Sequence, residues 1–596
     1  MRNYRWQVAA LVVSAILFTA VLVTRLTNPI PQITPSPAPS ATADNPTEEP
    51  GDPATMESSV TPAGVAEIPA ATPALPTQWR SPDGVPTLRE ALIGDVRRLN
   101  PLLALPNSAE ADLTALIFEG LTEINTFGEP VGALALDWEV GNNGLEYVFR
   151  LREDVLWQDG TPFTADDVLL TANLLSSSEY PGLPDLRSFW QTIETQKIGP
   201  HLVRFLLPQP LASFPAQLTI GILPAHAFQG TSAADLLNHP FNLSPVGTGP
   251  YQLEALRSSD GTRIDVIDLR VSPVYRARSS EPFSIDRLSF SIYSTLDDAL
   301  AALNAESVDA FAAVRHADRS AVANLRNFHI FTQTAPRVGM LIFNWDEGDT
   351  RFFREQRVRS ALFTSLNRTA PLEARLPNRA ILANSPLLLN SWAYFGGLTP
   401  PITNVETARS AMDAFLSQRS TSSGADEEEP IEDPTRFALL VTDDAGLRAF
   451  AQEIATQWQQ IGLAVTVEAV PEAQLLERLA TGEFDTAIVE LALGADPDVY
   501  AYWHVGQHPD GLNYGAAADD RLSETLERAR REPSGINRAQ LYRQFQVDFL
   551  TRAVAIPLYY PLFTYVVREN VEEVQLGFIA APSDRFRNIG FWRISD

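Results

Sequence analysis

The chain contains no cysteine. That absence excludes a disulfide framework, a thiolate nucleophile, Cys-ligated zinc or iron–sulfur clusters, and a lipid carried on an N-terminal cysteine. Lysine is nearly missing as well, with Lys197 alone among the 45 basic residues. Positive charge is in deficit overall, 45 Lys+Arg against 73 Asp+Glu, for a formal charge of -28 over 596 residues. A surface this acidic repels a phosphate backbone, which is held through clustered cations and counterion release, so no nucleic-acid partner is expected. No GK[ST] phosphate loop and no GxSxG nucleophile elbow occur, which leaves ATP hydrolysis and serine-hydrolase chemistry without a starting motif. The length exceeds what one hydrophobic core serves, and 45% apolar residues is an ordinary globular share, so at least two domains are expected.

The charge is unevenly placed. Leu26 to Trp79 has six acids and no base, and Ser420 to Pro434 has six more acids and no base. Ahead of the first stretch, Arg2 and Arg5 precede a sixteen-residue uncharged apolar run, Val8 to Val23, which Arg25 closes. This is long for a signal-peptide core and marginal for a membrane span of roughly 17 to 25 residues. Phe18-Thr19-Ala20 is a poor cleavage site, so 1–25 is read as a signal or, by preference, an uncleaved anchor. The leading arginines favour an orientation that puts the bulk of the chain outside the cytoplasm. Asn28 to Thr77 holds twelve prolines and too few large apolar residues to offset the entropy of ordering, so 26–79 reads as a disordered spacer. Residues 417–434 (SQRSTSSGADEEEPIEDP) read as an acidic disordered insertion within the body.

From Pro86 onward strand and helix signals alternate. Thr87 to Ile93, Tyr147 to Leu151 and Val203 to Leu207 read as strands, Glu110 to Phe118 as a helix, and Thr164 as the N-cap of another. Later, Phe437 to Val441 (strand), Ala445 to Ile461 (helix), Ala464 to Val470 (strand), Pro471 to Ala480 (helix) and Phe484 to Leu493 (strand) predict a parallel α/β unit whose ligand crevice lies at the strand ends.

Seven segments in collinear order carry a resemblance: LNPLL (99–103), FEGLTEINTFGEPVGALALDWEV (118–140), YVFRLREDVLWQDGTPFTADDVLLTANLL (147–175), VGTGPYQL (246–253), FNWDEGDTRFFREQRVRSALFTSLNR (343–368), ADPDVYAYWHVGQHPDGLNY (495–514) and YRQFQVDFLTRAVAIPLYYP (542–561). Together they resemble the extracellular solute-binding proteins of family 5, the oligopeptide, dipeptide and nickel-binding type that serve ABC importers. The resemblance implies a two-lobed periplasmic-binding-protein-like α/β fold of type II, hinged by two crossing strands, with an extra domain inserted in the first lobe. Mapped onto this chain, lobe I is 80–125 with 246–335 and 566–596, the inserted domain 126–245, and lobe II 336–565. It also implies a non-enzymatic function: capture of a small molecule or peptide by hinge closure, and presentation to an ABC permease complex outside the cytoplasmic membrane. A monomer without cofactor is expected. A ligand-sensing ectodomain and an extracellular hydrolase are the alternatives; a permease gene beside this one, or turnover lost with one Ser or Asp, would separate them.

Asp496-Pro497-Asp498 follows an apolar strand where such a crevice opens, with Tyr500, Tyr502 and Trp503 behind it. A carboxylate beside aromatic faces suits an amphipathic or cationic solute; a proline turn with core aromatics is the plainer reading. Where peptide-binding members of the family carry an acid that anchors the ligand's amino terminus, this chain has Leu493, and Glu490 stands where a tryptophan is often found. That departure weighs against a peptide ligand. Trp392 and Tyr394, in the loop NSWAYFGGL, are further candidates because no periodic face accounts for them, and Asn100 and Asn513 complete the set. His504 and His508 are four apart, but Gly506 and Pro509 argue against a helix presenting both, so no metal is expected. VGTGPY reads as a glycine-permitted tight turn rather than a phosphate loop.

Overall fold

The computed structural model describes residues 83–313, 325–346, 351–422 and 435–595, together with Val322. The apolar run Val8 to Val23, the spacer and residues 423–434 lie outside the described residues. Among those described, no helix is long and apolar enough to cross a membrane.

In chain order the elements that matter are β1 (Thr87–Ile93), α1 (Ser108–Ile117), β2 (Ala135–Gly141), β3 (Glu146–Leu151), α2 (Ala165–Ser176), β4 (Glu194–Gly199), β5 (Leu202–Leu206), β6 (Tyr251–Arg257), β7 (Val266–Val271), β8 (Arg287–Tyr293), β9 (Ala310–Ala313), β10 (Phe328–Thr334), β11 (Arg337–Phe343), α3 (Gln356–Thr364), β12 (Ala380–Leu382), α4 (Val405–Ser422), β13 (Arg436–Thr442), α5 (Ala445–Gln459), β14 (Ala464–Val470), α6 (Glu472–Thr481), β15 (Thr486–Ala492), α7 (Asp520–Arg531), α8 (Gly535–Thr551) and β16 (Ile556–Arg568). Local chemistry explains many of their ends. Thr164 and Asp167 form a reciprocal capping box at the start of α2. Asp444 Oδ1 accepts from the Gly446 and Leu447 amides, both at 2.9 Å, to open α5, satisfying donors that the helix itself cannot pair. Along α5 the buried residues Leu447, Phe450, Ala451, Ile454, Ala455 and Trp458 recur at helical spacing, and each large side chain so buried contributes about 1.5–3 kcal/mol.

One sheet runs through the whole body in the order β14-β13-β15-β11-β16-β9-β1-β8-β7-β6, with β10 and β12 also paired to β16. β13 pairs in parallel with both β14 and β15, the arrangement the α/β pattern predicts. A separate four-stranded antiparallel sheet, β2-β3-β5-β4, belongs to the inserted region. The buried apolar residues fall into two large clusters. One gathers around Leu88, Leu113, Phe149, Phe205 and Ile267, the other around Leu341, Phe353, Leu439, Trp458 and Phe545.

The two lobes share β16. Its first residues pair with β11 and β12, its later ones, Leu562 to Arg568, with β10. The second crossing is the short link from β10 to β11, where the Ala335 amide donates to Pro561 O at 2.8 Å. A Cβ on Gly339 in β11 would lie 2.5 Å from the Tyr559 ring, so the ring of one crossing strand can seat on the other only because glycine is there.

Two local readings change. Helix α4 continues through Ser422, so the first residues of the 417–434 stretch are helical; SQRSTS contains no helix breaker, and the first one is Gly424. Gly247 and Gly249 are not among the positive-φ glycines. Their requirement is space, since a Cβ on Gly247 would sit 1.8 Å from Ile117 O and one on Gly249 2.6 Å from Leu116 O. The motif lays its backbone directly on the C-terminal end of α1, where the Gly249 amide donates to Ile117 O at 2.8 Å.

Candidate functional site

Strand β15 ends at Ala492, and the loop after it is shaped by its own aspartates. Asp496 Oδ1 accepts from the Asp498 amide at 3.0 Å, and Asp498 Oδ1 accepts from the Tyr500 amide at 3.1 Å. These successive side-chain turns, with Pro497 between them, lead into the short helix Tyr500–Trp503. A cavity of about 90 Å³ opens at this point, walled by Leu387, Leu388, Ser391, Leu493, Val499 and Tyr502, with Asp496 and Asp498 also lining it.

Both carboxylates are already bound. Arg538 grips Asp496 with two parallel bonds, Nη1 to Oδ2 at 2.6 Å and Nη2 to Oδ1 at 2.5 Å. The pair is almost fully buried, with side-chain exposures of 5% and 6%. Arg538 also donates from Nε to Ala529 O and from Nη2 to the Tyr542 hydroxyl, each at 3.1 Å. Arg530 donates from Nε to Asp498 Oδ2 at 2.8 Å. Burial raises the pKa of Asp498 despite the opposing charge of Arg530. The Asp496 beside it stabilises the Arg538 guanidinium against desolvation, leaving it above the ordinary arginine value.

The aromatic groups are occupied in the same way. The Arg530 guanidinium lies 4.2 Å from the centre of the Tyr500 ring, and that ring stacks on His504 at 4.0 Å. Arg538 lies 5.5 Å from the Trp392 ring and 5.3 Å from the Tyr542 ring. Trp503 is buried edge-on against Phe549 at 4.7 Å. The Tyr502 hydroxyl donates to Ala492 O at 2.6 Å, and burial pushes this phenol up to about 12.

Of the sequence candidates, Asp496 and Tyr502 line the cavity and Tyr500, Trp503 and Trp392 pack around its supports. Tyr394 is half-buried in the loop that Gln546 ties down: Gln546 Nε2 donates to Ala393 O at 2.8 Å, and its Oε1 accepts from the Phe395 amide at 3.1 Å. Asn513 is buried, donating to His504 O and Ala517 O and accepting from the Ala517 amide. Asn100 is buried too, donating to Asn242 Oδ1 at 3.0 Å and accepting from the Leu102 amide. Neither asparagine lines the cavity. His504 Nδ1 accepts from the Gly506 amide, so its Nε2 carries the proton toward Glu527 at 3.2 Å. His508 faces Asp346 instead, at 3.6 Å; the two imidazoles do not converge.

Sequence reasoning missed Arg530, Arg538, Tyr542 and Gln546. The last three are four residues apart on α8 and share its buried face with Phe545 and Phe549. A polar stripe at i, i+4, i+8 on an apolar helix face is a readable signal, because buried polar groups there need partners.

The inserted region closes over the supports. Its Ala212 amide donates to Arg530 O at 2.7 Å, and Tyr147 of β3 donates to Leu211 O at 2.8 Å. Burial first, then the nearby Asp496, raise the Tyr147 phenol to about 12. The arrangement is a small cavity at a strand end, beside a two-strand crossing and lined by residues of one lobe, whose supporting Arg530 is touched from the inserted region.

Comparison with known proteins gives matches over the same span. A family model for bacterial extracellular solute-binding proteins, family 5 Middle, matches residues 129–512. The chain is 24% identical to the oligopeptide-binding protein AppA of Bacillus subtilis, covering 84% of this chain and 90% of that one. It is 23% identical to a dipeptide-binding protein of Escherichia coli, covering 77% and 86%. Among solved structures, NikZ from Campylobacter jejuni in complex with Ni(L-His) superposes with a TM-score of 0.63 at 22% identity, covering 85% of this chain and 99% of that chain.

Proposed function

The chain belongs to the bacterial extracellular solute-binding proteins of family 5, and from that membership we propose that it captures a small solute, peptide-like or other, between its lobes and hands it to an ABC importer. The observation that carries the mechanism is the pair of crossings, β16 and the β10–β11 link, beside the cavity at the end of β15. Rotation about two adjacent backbone segments would part and rejoin the inserted region and Arg530, which in this structure meet through Ala212. A solute that touches both sides binds the closed form more tightly, and shifts the open and closed populations by that difference in affinity. The protein binds and releases; the energy of transport comes from a separate ATPase.

Finer assignments accompany this reading. We take lobe I as 80–125, 246–335 and 566–596, the inserted domain as 126–245 and lobe II as 336–565, since the β10–β11 link changes lobe between Ala335 and Arg337. The run Val8 to Val23 and the proline-rich spacer serve as a tether at the outer face of the cytoplasmic membrane, and the chain works as a monomer. The test is to identify by mass spectrometry the small molecule that co-purifies with the body from Trp79 onward, remove it, and add it back during small-angle scattering. The body is expected to become more compact. A profile that stays unchanged at saturation sinks hinge capture.

A further inference from the structure

Recognition of a cation needs an available carboxylate or an available aromatic face. The crevice contains both, and the protein's own arginines take up its two carboxylates and the aromatic faces of the supports around it, while Tyr502 is the aromatic residue that lines the cavity itself. The two carboxylates lining the cavity are bound by Arg538 and Arg530. The faces of Tyr500, Trp392 and Tyr542 lie beside those same guanidinium groups, within 4.2–5.5 Å. Two aspartates and two arginines sum to zero charge. An ammonium entering here would shed its hydration without a counter-ion, a cost that buried charge does not recover without pairing. A carboxylate fares no better, because neither arginine lines the cavity and Arg538 already uses Nε, Nη1 and Nη2 on Ala529, Asp496 and Tyr542.

Each of the two hydroxyls of the wall already makes a bond. The Tyr502 hydroxyl donates to Ala492 O, and Ser391 Oγ accepts from the Ala393 amide at 3.3 Å. The larger side chains of the rest of the wall are aliphatic: Leu387, Leu388, Leu493, Pro497 and Val499. Leu493 has a second connection, because its amide donates to Pro336 O at 2.9 Å. The residue that walls the cavity is thereby bonded to the β10–β11 crossing.

We infer that, within the solute-capture reading, this cavity receives an uncharged apolar group of the solute, and that Leu493 is the residue that sets the preference. The solutes selected are those whose group at this end of the crevice is alkyl or aryl, with no free ammonium or carboxylate there.

The test uses two probes matched in shape, 3-methylbutan-1-ol and 3-methylbutan-1-ammonium, titrated into the purified full chain with ligand-observed NMR. Wild type is expected to bind the alcohol at least tenfold more tightly than the ammonium, and Leu493→Asp to reverse that order. Ser391→Asp, which keeps an oxygen for the Ala393 amide, is the second variant and should reverse it equally if Leu493→Asp does not fold. Partition into detergent or onto the surface cancels in the comparison between variants. The inference is overturned if wild type binds the ammonium as tightly as the alcohol, or if neither probe's binding responds to either variant. A failure of hinge capture would show instead in the scattering experiment, whatever the probes do.

Discussion

Asp496→Asn separates two roles for this aspartate. If Asp496 were a ligand anchor, the amide would weaken cationic solutes and leave the fold alone. The structure gives it a partner instead: Arg538, through two bonds of 2.5 and 2.6 Å in a pair only 5% and 6% exposed. Asparagine keeps one oxygen, which can still accept from the Asp498 amide and from one Arg538 nitrogen. Its NH2 group then opposes the other guanidinium nitrogen, donor against donor, and the arginine is left buried without an opposite charge. Breaking one half of a buried pair costs about 3–5 kcal/mol, and the surviving oxygen places this change near the lower end. For a folding unit the size of one lobe, each kcal/mol lowers Tm by roughly 2–4 °C, so the fall should be about 6–12 °C. Calorimetry on wild type, Asp496→Asn, Arg538→Met and the double variant measures both the loss and the coupling. The double variant should lose less than the two single losses summed, because it leaves no lone charge. An Asp496→Asn protein that melts with wild type while selectively losing cationic solutes would refute this reasoning and restore the anchor role.

Other outcomes follow from the same geometry. Gly247→Ala puts a methyl 1.8 Å from Ile117 O and should cost about 3 kcal/mol by overpacking against a helix backbone; an unchanged urea midpoint would contradict the contact. Glu90 is fully buried with Arg585, Asp112 and Tyr565, and desolvation raises its pKa. The protonated form is therefore favoured on folding, and that contribution is present at low pH and lost as pH rises through the folded value. The Tm of Glu90→Gln relative to wild type should climb from pH 4 to pH 8, and a flat or falling difference would show that the carboxylate folds ionised at no cost. Gln546→Leu leaves Ala393 O and the Phe395 amide without their partner, a loss of about 1–3 kcal/mol; proteolysis in the 391–395 loop should speed up, and resistance equal to wild type would argue that the loop is held otherwise.

What could be read from the sequence was local. The strands Thr87–Ile93 and Ala464–Val470 have the ends that alternation predicts, and the Thr164 cap needs only the residues beside it. The crossing of two lobes was legible through the collinear segments of a family, not through any propensity. Asp496 and Tyr502, singled out by the strand end before them, line the cavity. The meaning of Asp496 was hidden because its partner lies 42 residues away, as Arg530 lies 32 from Asp498. Pairings of that range depend on how α7 and α8 pack, which no window of sequence contains. The VGTGPY glycines were hidden for a related reason: their constraint is the backbone of α1, more than a hundred residues earlier.

Strand β16 follows every one of its partners in the chain, β9, β10, β11 and β12 among them. During vectorial synthesis, neither half of the sheet can be completed until residues 556–568 have emerged. Loop closure over such separations is slow, and unpaired strand edges wait exposed in the meantime. For a polypeptide threaded through a membrane channel this delay is useful. A chain that withholds its last shared strand stays unfinished, and so remains threadable, for as long as that strand has not crossed.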